Sequence, residues 1–65
     1  MLLEVNGAPV EVPDGGGLVE ALAAAGLDDL RGVAVAIEGE VVPRSAWTGA
    51  RLAEGQRLEV VRAVQ

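Results

Sequence analysis

The sequence predicts an α+β fold: one main helix packed on one face of a mixed sheet of four or five strands. Three observations predict it. Stretches of period-two hydrophobicity open and close the chain, one amphipathic helical stretch lies between them, and glycines punctuate the joins. At 65 residues the chain has room for one domain, read here as residues 1–65 with a flexible C-terminal tail from about residue 63. Domains near this size bury only about 60% of their unfolded surface. Cysteine is absent and Trp47 is the single aromatic residue, so stability must come from aliphatic packing, which 51% hydrophobic content can supply.

The first strand is expected around Leu3 and Val5, which alternate with Leu2 and Glu4. Asn6-Gly7 is the strongest short hairpin signal, because both central positions of a type I′ turn need positive φ. Val10 and Val12 then alternate with Pro9, Glu11 and Pro13, and Pro9 sits at a strand start, where a missing donor is tolerated. Asp14-Gly15-Gly16-Gly17 lacks the spacing, the lysine and the following hydroxyl of a phosphate-binding loop. It reads as a sharp turn, with Asp14 or a glycine capping the next helix.

That helix is expected over Leu18–Ala25, with Leu18, Ala21, Leu22 and Ala25 on one face. Gly26 fits the stop position, and Leu27 can pack back on the helix. Val33–Ile37 is the most apolar run and reads as a central strand, β-branched residues on one face and alanines on the other. Glu38-Gly39-Glu40 turns the chain into Val41-Val42, which Pro43 ends. Arg44–Trp47 reads as a helical turn or loop, with Trp47 over the edge of the core. Residues 52–57 hold a short extended piece and a turn. The last strand starts at Leu58, with Leu58 and Val60 facing in and Glu59, Val61 and Ala63 facing out. The order β-β-α-β-β-β, with first and last strands parallel at the centre, is the β-grasp or ubiquitin-like architecture.

Side-chain chemistry is sparse. There is no histidine, tyrosine or lysine, and Ser45 and Thr48 are the only side-chain hydroxyls, with no base to activate them. The carboxylate pairs Asp28/Asp29 and Glu38/Glu40 fall in expected turns, and neither matches a calcium loop. The expectation is therefore no catalytic, metal-binding or cofactor-binding residue. Ten acidic residues against five arginines give a net charge of −5, which argues against nucleic acid. Met1-Leu2-Leu3 runs straight into Glu4, so no signal peptide is expected, and no apolar run approaches the roughly 20 residues of a membrane span. A cytoplasmic, soluble protein is the default. The feature left to act is the chain end, carried on the last strand. Val61, Ala63, Val64 and Gln65, with Val42, are the candidate docking and tail residues.

Four segments resemble the sulfur carrier proteins of bacterial thiamine biosynthesis, the ThiS family. They are the "VNG" hairpin start, "GLVEALAAAGL", "VAVAIEGEVVPRSAW" and the ending "RLAEGQRLEVVRAVQ". Their order spans nearly the whole chain, and Val42–Trp47 is the most distinctive piece. Gln56 stands where the family usually has Asp. The resemblance implies a carrier that is not itself an enzyme. In such carriers a terminal Gly-Gly carboxylate is joined to AMP by a ThiF-like adenylating enzyme, which uses ATP. A sulfur-donor protein supplies sulfur, and the resulting thiocarboxylate is delivered to thiazole synthase. The sequence stops at Gln65, where the family reads on to the two glycines, so no residue of this sequence is the reactive glycine. The absence of lysine, and so of acceptor amines, favours such a carrier over a polymerising tag. The alternatives are the related carrier of molybdopterin synthesis and, if Gln65 is the true end, a non-covalent β-grasp interaction module.

Overall fold

The computed structural model describes residues 1–63. Strand β1 spans Leu2–Val5 and β2 spans Ala8–Glu11, joined by the expected turn at Asn6 and Gly7, whose φ values are 51° and 84°. Helix α1 spans Leu18–Ala24. Strand β3 covers Val33–Ile37, β4 covers Glu40–Val42 and β5 covers Arg57–Arg62, with a 3-10 helix at Arg44–Gly49 between the last two. The five strands form one sheet in the order β2-β1-β5-β3-β4. The β1/β5 pair is parallel, with Glu4 opposite Arg57 and Val5 opposite Leu58; the other pairs are antiparallel.

Helix α1 starts at Gly17, whose N–H donates to the Glu20 carboxylate at 2.9 Å. Asp14 takes no capping role; its carboxylate lies 3.1 Å from the Met1 amino group. The helix closes with a paired C-terminal motif: Gly26 N–H donates to the Ala23 carbonyl at 3.0 Å and Leu27 N–H to the Leu22 carbonyl at 2.9 Å. Leu18, Ala21 and Leu22 face the sheet and are buried with Leu3, Val5, Val12, Val33, Val35, Trp47 and Leu58.

Strands β1 and β5 pair in parallel at the centre, as expected, and the apolar β3 is also interior, between β5 and β4. Its β-branched residues Val33 and Val35 face the core and its alanines the other side, as the alternation predicts. Trp47 does not lie over the edge of the core but inside it, at 3% exposure. Its indole N–H donates to the Val42 carbonyl at 2.9 Å, and the Arg44 guanidinium stacks 4.3 Å from its ring centroid while donating to the Leu30 carbonyl. The turn expected within residues 52–57 falls at Glu54-Gly55, and Ala53 N–H donates to the Gln56 side-chain oxygen at 2.8 Å.

Candidate functional site

Every helical element lies on one side of the sheet, leaving the other side open. Alternation decides what that open side carries. In β5, Leu58 and Val60 turn inward, whereas Arg57, Glu59 and Val61 turn outward, and Val61 is 64% exposed. The ladder sets Ala34 of β3 opposite Val61 and Ala36 opposite Glu59; Ala36 in turn faces Val41 of β4. Two alanines thus lie between two valines. The result is a shallow apolar trough lined by Ala34, Ala36, Val41 and Val61, with the Glu59 carboxylate beside it.

Val42 does not join this trough. Its register partner is Val35, a core residue 1% exposed, so Val42 packs inward. Val41, at 75% exposure, holds the outer position. Counting could have found it: a two-residue turn at Glu38-Gly39 pairs 37 with 40, 36 with 41 and 35 with 42. Two adjacent valines look alike in composition, and only the turn length separates them.

Toward the turn end of the same face, Glu4, Glu38 and Glu59 surround Arg57. Glu38 is tied down by the Arg57 N–H, which donates to its carboxylate at 2.7 Å. At the other end of β5, Ala63 is exposed, and its N–H donates to the Gly32 carbonyl at 2.8 Å, one step beyond the last ladder pair. Val64 and Gln65 lie outside the described residues. Asp29, in the loop that receives Ala63, accepts two hydrogen bonds from the Arg31 guanidinium at 3.0 and 2.9 Å and one from the Arg31 N–H at 3.1 Å. These bonds, the side-chain ones foremost, lower its carboxyl pKa from 3.8 to about 2.

Both expected carboxylate pairs therefore have one member engaged in holding a turn. Ser45 and Thr48 are exposed on the 3-10 helix. Among the described residues, no cluster of three or more His, Cys, Asp or Glu side chains is arranged to hold a metal ion. Arg44 and Trp47 bind each other and the loop around them.

The sequence matches the ThiS family model over residues 2–65. The chain belongs to the ThiS family. The crystal structure of a thiamine biosynthesis protein (ThiS) from Geobacter metallireducens superposes on it with a TM-score of 0.79 at 31% identity, covering 100% of this chain and 97% of that one. No curated protein sequence matches it significantly. The β-grasp architecture expected from the element order is thus shared with a solved ThiS structure. Among the described residues, no helix of this ThiS-family chain is long and apolar enough to cross a membrane.

Proposed function

We propose that this chain is a sulfur carrier protein of thiamine (thiazole) biosynthesis, a cytoplasmic protein co-substrate acted on by partner enzymes. Family membership across residues 2–65 carries the reading. The fold fits it: the central strand β5 is the last element before residue 63 and borders an open apolar face.

The chemistry requires little of the folded domain. A partner adenylating enzyme joins the terminal carboxylate to AMP from ATP, releasing pyrophosphate. Sulfide-level sulfur (HS⁻) released from a donor protein attacks the acyl carbon, breaking its bond to AMP and leaving a thiocarboxylate, which thiazole synthase consumes. In such a carrier the reactive carboxylate is that of a terminal glycine, since a Cβ would collide in a narrow active site. The trough of Ala34, Ala36, Val41 and Val61 serves as the docking surface, and the neighbouring acidic residues favour a basic rim on the partner.

Intact-protein mass spectrometry tests the reading. The 65-residue chain and a variant extended by Gly-Gly are incubated with ATP, the adenylating enzyme and a sulfur donor. The extended chain is expected to gain the mass difference between sulfur and oxygen, and the shorter chain to stay unchanged. An unmodified extended chain alongside an active cognate enzyme refutes the carrier assignment.

A further inference from the structure

Strand β5 is supported unevenly along its length. Its first residues lie between β1 and β3, but β1 ends at Val5, opposite Leu58. Past Val60 the β1 side offers no strand, and β5 is paired with β3 alone, through Ala34–Val61 and Val33–Arg62. A strand end paired on one side and exposed to water frays readily.

Arg62 lies where that support is missing. Its register partner Val33 is a core residue, so its side chain leaves the sheet on the helix side and reaches the loop between α1 and β3. Three acceptors converge on its guanidinium: the Asp29 carbonyl, the Arg31 carbonyl at 3.4 Å and the Asp29 carboxylate at 3.9 Å. The loop is itself braced by the Asp29–Arg31 bonds. Its last residue, Gly32, has a φ of 69° and takes the Ala63 N–H on its carbonyl. A planar fork of donors can satisfy two carbonyls at once, which an ammonium on a single stem cannot do with the same geometry.

We propose that Arg62 is a positioning residue: the 29–32 loop grips it and so fixes where, and in which direction, the chain leaves the sheet toward the partner enzyme. The proposal rests on the carrier reading above. A gripped exit spares the partner the ordering of residues up to Ala63 when it takes up the end that follows. Loss of the grip is a loss of uniform binding, which raises KM and leaves kcat alone.

The test uses the Gly-Gly-extended chain with Arg62→Gln and Arg62→Lys. Three quantities are read: the melting temperature, amide exchange at Ala63, and steady-state adenylation against carrier concentration. Both variants are expected to stay folded, to exchange faster at Ala63 and to show KM raised about fivefold with kcat nearly unchanged. If Arg62→Gln melts well below the parent, Asp29→Asn, which weakens the same grip without touching β5, is read in its place. Unchanged Ala63 exchange, unchanged KM, or a lysine variant indistinguishable from the parent overturns the proposal. An extended parent that is never adenylated overturns the carrier reading instead, and the positioning role with it.

Discussion

The carboxamide of Asn6 satisfies both backbone groups of Val60, which lies 54 residues further along the chain. Its Oδ1 accepts from the Val60 N–H at 2.8 Å, and its Nδ2 donates to the Val60 carbonyl at 3.1 Å. The side chain thus continues the parallel ladder one step after β1 has turned away. The same residue sits at φ 51°, so it serves the hairpin through its backbone and β5 through its amide. Replacing Asn6 with Ala removes both hydrogen bonds and strains the turn, and is expected to cost about 2 kcal/mol in chemical denaturation. Asn6→Gly relieves the φ strain and should recover part of that loss. Equal losses in both variants would show that the amide alone matters.

Leu58 and Val61 test the two faces of β5. Leu58 is 1% exposed and sits in the core, so Leu58→Ala is expected to cost about 2–5 kcal/mol and to leave a poorly folded chain. Val61→Ala should stay within about 0.5 kcal/mol of the parent. Thermal melts followed by Trp47 emission compare them, and similar losses would put the faces the wrong way round.

The adjacent valines of β4 separate folding from docking. Val41→Arg places a charge in the outer trough; the protein should melt normally but bind the adenylating enzyme more weakly in titration calorimetry. Val42→Arg forces a charge toward the core and should unfold the domain. Normal partner binding by Val41→Arg would remove the trough from the docking surface.

Gly16 is held by space. A Cβ there would lie 2.6 Å from a Val12 methyl and 2.9 Å from the Pro13 carbonyl oxygen. Gly16→Ala is expected to lose about 1–3 kcal/mol, since the backbone oxygen cannot move aside cheaply. At Gly17 a Cβ meets nothing closer than the Glu20 carboxylate at 3.8 Å, and a serine there can cap the helix. Gly17→Ser should therefore match or exceed the parent in a urea titration.

Asp29 gives a pH dependence. Its folded pKa, about 2, lies below the ordinary 3.8, so its contribution is present above pH 3.8 and is lost as pH falls toward 2. An NMR titration of the Asp29 carboxyl carbon should show the lowered midpoint, and Arg31→Gln should move it back up. A midpoint near 3.8 in the parent would mean that the Arg31 contact does not persist in solution.

Much of the fold was legible because its signals are local. Asn6-Gly7 specifies its own turn, Gly26 its own helix stop, and the alternation around Leu58 its own faces. The parallel pairing of β1 and β5 followed from element order. What escaped depends on residues far apart in sequence. Nothing local to Trp47 marks it as a core residue; its burial depends on the Val42 carbonyl, which accepts its indole N–H, and on the Arg44 guanidinium stacked on its ring. The inward face of Val42 follows only from the register that the two-residue turn at Glu38-Gly39 sets, not from its own neighbours. The Asn6–Val60 and Arg62–Asp29 contacts join residues more than thirty positions apart, and nothing near either partner announces them.

The position of β5 in the sheet also has a mechanical consequence. Its hydrogen bonds to β1 and β3 run across the strand. A pull on the C-terminal end acts along the strand and therefore shears these bonds together, whereas a peeling load would break them one after another. A partner enzyme can draw on the end of this chain and find the load shared across the middle of the sheet.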